Sequence, residues 1–314
     1  MRTLVLLRWE IAQALRGLAP HVTLTGASLA STALTGLGLL ALSLWSPFTI
    51  GSSGGTFTTR TDSSTTPQLL PILGEYRGAV AFVVILTWLI LIAAALGPAF
   101  MAGAIVRDRR SGRLDRVLTD TSRADVVALV KLLTGLIPLG LTLAAAAPSV
   151  SFAWLLGGLA SPDAVVGAAV ALILLVLITS IGLMCSAVAA TEVTALLASY
   201  ALIGGILWGP LLAAVGLSLA GFSAAASAVG SFDPLIALLA SQQTLSRNLL
   251  RLLPTGWPAP HLVWLIGGPF KVEIPVWAAD LAVYAVLAAF LVWVTGIVLE
   301  PLHPIKTWRL RGVG

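Results

Sequence analysis

Long apolar stretches, separated by short polar segments, dominate this chain. Six stretches are long enough to cross a bilayer as helices, since one span needs roughly 20 mostly apolar residues. Gly, Pro and clusters of charged residues separate the stretches. The pattern predicts an all-α membrane protein with about six transmembrane helices. These cover approximately residues 21–45, 78–103, 126–148 (or on to 154), 164–190, 194–219 and 276–299.

The polar segments divide the chain further. Residues 1–20 predict an amphipathic helix, in which Arg8, Glu10 and Arg16 interrupt the apolar positions. We expect this helix to lie in the membrane interface; the alternative is a soluble helix that caps the bundle. The remaining predicted parts are a transmembrane domain at 21–304, with external loops at 46–77 and 220–275 and a charged loop at 104–125, and a tail at 305–314.

The loop at 220–275 contains a helix signal. Asp233 is a favourable N-cap, and Pro234 suits the first helical turn. Leucines then recur at helical spacing as far as Pro254, which predicts a surface helix. Trp257 and Trp264 follow, and such residues favour the membrane interface.

Composition agrees with the membrane assignment. The chain is 58% hydrophobic and only 10% charged, whereas soluble domains carry about a quarter charged residues. One cysteine, Cys185, excludes an intrachain disulfide framework. The net charge of +5 does not indicate a nucleic-acid partner, because the basic residues are concentrated in loops. We therefore expect the apolar stretches of the chain to be surrounded by the lipid bilayer.

The distribution of Lys and Arg predicts the orientation. The segments that lie on the same side as the N-terminus hold most of these residues, including the seven between Arg107 and Lys131. Cytoplasmic segments of membrane proteins carry this excess. We therefore expect a multi-pass protein of the cell membrane, the inner membrane in a bacterium, with both termini in the cytoplasm.

Residues that could carry chemistry are sparse. The chain has no phosphate-binding G-x-x-x-x-G-K-[ST] sequence, so an ATP site would belong to another chain. The three histidines are scattered and predict no metal site. Asp280, Glu300 and Lys131 lie near the ends of predicted spans, where an interfacial position is expected. The lack of a carboxylate at mid-membrane argues against a secondary carrier.

The charged loop at 104–125 contains a short helical pattern. Leu114, Val117 and Leu118 have the i, i+3, i+4 spacing of one helix face, and basic residues flank them. Ser122 and Asp125 form a capping-box pattern ahead of the third span. The short helix is suited to docking a soluble partner; the alternative is a basic loop that only sets topology.

The same segment resembles the signature of the type-two ABC transporter permeases. Departures from the family pattern are Arg113, Asp120 and Val130. Sequences around 4–17 and 97–105 resemble other parts of the family. The residues that match the signature are Asp108, Arg109, Gly112, Leu114, Asp115, Leu118, Thr119, Ser122, Asp125 and Lys131.

The resemblance implies a six-helix exporter subunit that is not itself an enzyme and carries no cofactor. ATP and Mg would be bound by a separate ABC ATPase subunit. The permease would pair with a second copy of itself or with a sister permease. The short helix would be the coupling helix: Leu114, Val117 and Leu118 would fill a groove on the ATPase, and Arg109, Arg113 and Arg116 would contact its rim.

Three other classes remain open at this point. A permease-like scaffold would transmit the work of an ATPase to an external partner without passing a substrate. A secondary carrier would need a carboxylate within the membrane. A membrane-embedded enzyme would need a cluster of polar side chains. An adjacent ATPase gene would favour the exporter and scaffold hypotheses over the other two.

Overall fold

The computed structural model describes residues 77–114, 117–118, 124–242, 261–265 and 271–300. The predicted interfacial helix with Arg8, Glu10 and Arg16, the first predicted span and the tail lie outside these residues. The described part contains five helical segments that are long and apolar enough to span a membrane. The assignment as a helical membrane protein is therefore supported, and the five segments correspond to the second to sixth predicted spans.

Almost all of the described chain is helical. In chain order the elements are α1 (Arg77–Met101), α2 (Ala104–Arg110), α3 (Ala124–Ala145), α4 (Ala147–Leu155), α5 (Ser161–Val188), α6 (Glu192–Leu219), α7 (Ser223–Gly230), α8 (Pro234–Ser241), β1 (His261–Leu265), β2 (Lys271–Pro275) and α9 (Val276–Leu299).

The span boundaries follow the apolar stretches closely. The last span begins and ends where the sequence predicts it. The third predicted span takes its longer form, because α3 and α4 together run over Ala124–Leu155 with a short break at Ala146. A tight turn precedes α5: Gly157 and Gly158 have φ angles of 79° and 78°, and Gly157 accepts a hydrogen bond from the Gly78 N–H of α1 at 2.8 Å.

Helix α5 is the centre of the bundle and contacts α1, α3, α6, α8 and α9. Glycines allow the closest approaches. A Cβ added to Gly97 in α1 would lie 2.7 Å from Ile178 of α5, and one added to Gly182 in α5 would lie 2.8 Å from Met101. In α3, Gly135 also faces Met101 at a distance that leaves no room for a side chain. These glycines bring α1, α3 and α5 together.

Helix α6 is peripheral. Only four of its 28 residues are buried, whereas sixteen of 28 are buried in α5. The four are spaced four apart and form one stripe: Ala195, Ser199, Ile203 and Leu207. The Tyr200 hydroxyl, which donates to the Ala95 carbonyl at 2.6 Å, adds a link to α1. The rest of α6 faces away from the described bundle.

The segment between α6 and α9 corrects one prediction. Asp233 does cap a helix, because its Oδ1 accepts from the Leu235 N–H at 2.9 Å and the Ile236 N–H at 3.4 Å. This helix, α8, is not on the surface: six of its eight residues are buried against the bundle. Further along, Trp264 lies in β1, which pairs with β2 in an antiparallel hairpin that the sequence did not predict.

Candidate functional site

A buried ion cluster lies where α2 meets α3. The Asp108 carboxylate of α2 contacts Lys131 Nζ of α3 at 2.6 Å through Oδ2 and Arg113 Nη2 at 2.8 Å through Oδ1. The Asp108 and Lys131 side chains are only 11% and 9% exposed. Lys131 was expected near the membrane interface, and in the structure its side chain is buried with its ammonium paired to Asp108.

The Arg109 side chain of α2 binds the C-terminal end of α5. Its Nη2 donates to the Ala187 carbonyl at 2.6 Å, and its Nη1 donates to the Ala189 carbonyl at 3.1 Å. These carbonyls lie at and just beyond the C-terminal end of α5, where backbone acceptors have no partner within the helix. Ser186 of α5 in turn accepts from the Ile105 N–H at 3.0 Å. Helix α2 thus binds the C-terminal end of α5 in two ways, through the Arg109 side chain and through the Ile105 backbone.

A tight turn follows α2. Gly112 has a φ angle of 65°, a conformation that favours glycine, and a Cβ at this position would meet no atom within 4 Å. The backbone is helical again at Arg113 and Leu114, and at Val117 and Leu118. The short helix predicted from the sequence is therefore supported at these four positions, whereas Asp115 and Arg116 lie outside the described residues.

Leu114 does not project outward as predicted. Its side chain is only 2% exposed, and the half-buried Val117 and Leu118 pack against the same cluster. The prediction that Leu114 fills a groove on a partner is wrong for this structure, because the Leu114 side chain packs into an apolar cluster of its own chain. The other buried members of the cluster are Met101, Ile105, Ala124, Val127, Ala128, Leu132, Leu183, Ala187 and Leu299.

The exposed charges at this corner are different from those predicted. Arg109 and Arg113 were expected at the rim of a partner, yet both bind groups of this chain. Among the described residues of this corner, the solvent-facing basic side chains are instead those of Arg107 and Arg110, one helical turn apart; Arg116 lies outside the described residues. Arg107 lies 3.7 Å from Glu192 at the start of α6, in a pair whose side chains are 63% and 42% exposed. The i, i+3 spacing of these two arginines was a signal available in the sequence.

A second group of buried polar side chains lies near the N-terminal end of α9. Asp280 was expected at the interface, but it is completely buried. Tyr284, one turn further along α9, donates a hydrogen bond to the Phe232 carbonyl, next to Asp233. Asp233 is also completely buried. Burial raises the pKa of the Asp233 carboxyl above its ordinary value, and the N–H groups of Leu235, Ile236 and Leu211 offset only part of this shift.

Within the described ranges, no group of three or more His, Cys, Asp or Glu side chains is placed to hold a metal ion. Cys185 is a buried free thiol within α5. Glu300, at the end of α9, is exposed.

Comparison with known proteins finds no matching family model, no matching curated protein and no matching solved structure.

Proposed function

We propose that this chain is the membrane-spanning permease subunit of an ATP-driven ABC exporter, and that a separate ATPase subunit supplies the work. One observation carries the proposal. The residues whose sequence resembles the permease signature form a joint between three spans, and this joint has an exposed basic face. We call residues 105–114, together with their contacts on α3 and α5, the coupling joint.

The coupling joint is built to transmit force. Asp108 connects it to α3 through Lys131, and Arg109 connects it to the end of α5. Arg107 adds a weaker contact to the beginning of α6. A displacement of α2 would therefore be shared among three neighbouring helices. Charge-assisted hydrogen bonds of this kind are short and directional, so they resist sliding better than apolar contacts do.

The exposed face of the coupling joint fits an acidic partner surface. Arg107 and Arg110 face solvent, while Asp108 between them is buried and neutralised within the chain. The solvent-facing charged side chains of α2 are therefore basic. Complementary charges steer association and set register even where each pair contributes little energy. An ATPase that changes its contacts here between nucleotide states would bias the helices between two arrangements.

Orientation and assembly follow from the same proposal. The coupling joint would face the cytoplasm, as would both termini, in the cell membrane of a bacterium. The permease would act with a second copy or a sister permease. On the wide unburied face of α6, an added Cβ at Gly204, Gly205 or Gly209 would meet no atom of the described residues within 4 Å, which supports a helix partner on that side.

The test is a pull-down of the tagged, full-length chain in mild detergent. An ABC-type ATPase should co-purify with the wild-type protein. Charge reversal of the exposed pair, in the double variant Arg107→Glu/Arg110→Glu, should lower the ratio of ATPase to permease several-fold. Leu114→Asp is unsuitable as a docking variant, because it would place a charge in a buried cluster and disturb the fold.

A matched control makes the same charge change elsewhere. Arg60 and Arg247 belong to the predicted external loops, so Arg60→Glu/Arg247→Glu should leave the ATPase bound. Equal loss of ATPase in both double variants, or no ATPase with the wild type, would contradict the proposal. Transport measured in vesicles then separates an exporter from a scaffold, since the scaffold would consume ATP without moving a substrate.

A further inference from the structure

Two carboxylates lie inside the protein without the partners that buried charges need. Both oxygens of Asp280 are buried and accept no hydrogen bond in the part of the chain that the structure describes. Asp233 uses Oδ1 to cap α8, but its Oδ2 is likewise buried and makes no hydrogen bond. Neither residue has measurable exposure.

The fold brings these two residues to the same place. Asp280 and Tyr284 are four positions apart and lie on one face of α9. The Tyr284 hydroxyl binds the carbonyl of Phe232, the residue before Asp233. Helix α8 begins at this point and packs against α9 and α5. Asp233, at the N-terminus of α8, and Asp280, one turn before Tyr284, therefore lie where these two helices meet.

Such an arrangement is costly unless positive charge is supplied. Removing an ion from water costs several kcal/mol even after the protein relaxes. Two carboxylates in one buried site cannot both ionise without strong repulsion. The Tyr284 hydroxyl donates to the Phe232 carbonyl, and the buried indole N–H of Trp277, also on α9, makes no hydrogen bond to either carboxylate.

The surrounding elements offer little compensation. The outer part of α3, residues 133–145, contains no charged residue. Helix α5 contributes Asp163, a further acidic group, whose backbone carbonyl binds Gln242. Arg77 lies at the start of α1, and β2 carries Lys271 and Glu273, of which only the backbone is described. Arg77 and Asp163 have interactions of their own, and neither oxygen of Asp280 accepts a hydrogen bond from a described group.

We propose that Asp280 and Asp233 form a binding site for one small cation, either a proton or a monovalent metal ion. We call it the cation site. The bound charge neutralises the pair and allows α8 to stay packed on α9. Gly296 of α9 packs against α3 beside the coupling joint. At a helical rise of about 1.5 Å per residue, Asp280 lies roughly 24 Å along α9 from Gly296. The cation site needs no ATPase and does not depend on the proposed function.

Thermal unfolding of the full-length chain in detergent tests the cation site. In choline buffers without Na⁺ or K⁺, a bound proton predicts that Tm falls as pH rises from about 5 to about 9, because the folded state retains protons that the unfolded chain has released. A bound metal ion instead predicts that Tm rises when NaCl or KCl replaces choline chloride at the upper pH. Either dependence should be lost in Asp280→Asn.

The controls separate the cation site from other titrating groups. Glu300→Gln changes an exposed carboxylate on the same helix and should keep the wild-type dependence. Asp233→Asn retains a side chain that caps helices well, so it should fold and should weaken the dependence. The infrared carbonyl band of a protonated carboxyl group, measured on the wild type at neutral pH, distinguishes the bound proton from a metal ion.

The possible outcomes decide the proposal. A pH-dependent Tm with the infrared band present supports a proton, and a Na⁺- or K⁺-dependent Tm without the band supports a metal ion. Identical pH and salt responses in the wild type, Asp280→Asn and Asp233→Asn would overturn it. If Asp280→Asn does not fold, the absence of both the infrared band and any salt response in the wild type overturns it equally.

Discussion

At the scale of single residues, the buried charges occupy two contrasting surroundings. Asp108 has two cationic partners within 2.8 Å. Asp280 has none among the described residues. The first arrangement makes a fixed structural joint, because all the charge is supplied by the chain itself. The second leaves acceptor atoms open, so its charge balance depends on something bound from outside.

The pairing of Asp108 predicts which of two substitutions at the coupling joint will destabilise the protein more. Asp108→Asn removes the anion and leaves Lys131 and Arg113 facing each other inside the protein, which should cost about 3–5 kcal/mol of unfolding free energy. Lys131→Met should cost less, since Arg113 still neutralises Asp108. Unfolding by titrated denaturant, in detergent, measures both.

The exposed ion pair between Arg107 and Glu192 provides the control for these two substitutions. Glu192→Gln removes a pair whose atoms are 3.7 Å apart and largely in solvent, so it should cost no more than about 1 kcal/mol. A loss in Glu192→Gln as large as that in Asp108→Asn would show that burial of the Asp108 cluster has no special energetic role.

At the scale of helices, close contact between backbones adds to the polar links that hold the described spans together. A bilayer provides little hydrophobic force between helices, so association depends on packing and on small residues that permit it. Gly97, Gly135 and Gly182 serve this purpose at the contacts among α1, α3 and α5. Glycines in α6 do not: Gly204, Gly205 and Gly209 face open space in the described structure.

A pair of substitutions within α3 tests this reading of the glycines. Gly135→Val should destabilise the protein by about 1–3 kcal/mol, because its side chain would collide with Met101 and Thr179. Gly140→Val lies five positions away in the same helix and has nothing within 4 Å. The two changes share the same intrinsic helix cost, so the difference in unfolding free energy isolates packing. Equal losses would argue against the close contact.

At the scale of the whole molecule, the described bundle is unevenly covered. Helix α5 is enclosed, whereas α6 exposes large apolar side chains such as Leu197, Trp208 and Leu212. Lipid, the predicted first span or another permease could lie against this face. The G-x-x-x-G pattern at Gly205 and Gly209 favours a second helix in close contact.

Disulfide trapping tests whether that helix belongs to another copy. With the single native cysteine removed in Cys185→Ser, Gly205→Cys should form a cross-linked dimer in membranes under mild oxidation. Val286→Cys, on an exposed face of α9, should stay mainly monomeric. Monomer alone at position 205 would argue against a homodimer through α6, and a cross-link to a chain of different mass would identify a sister permease.

The sequence by itself determined where the described spans lie. Hydropathy is a local property, so the ends of α9 and the start of α8 at Asp233 could be read directly from neighbouring residues. The turn at Gly157 and Gly158 was also local. Such features require no knowledge of which helix faces which.

Only the tertiary structure decided which side chains meet. Arg109 binds carbonyls 78 and 80 positions away, and Asp108 pairs with Lys131 across the charged loop. The same folding turned Leu114 inward and enclosed Asp280. A span that is apolar on every side carries no pattern to show which face is buried, so neither the coupling joint nor the cation site could be located before the helices were packed.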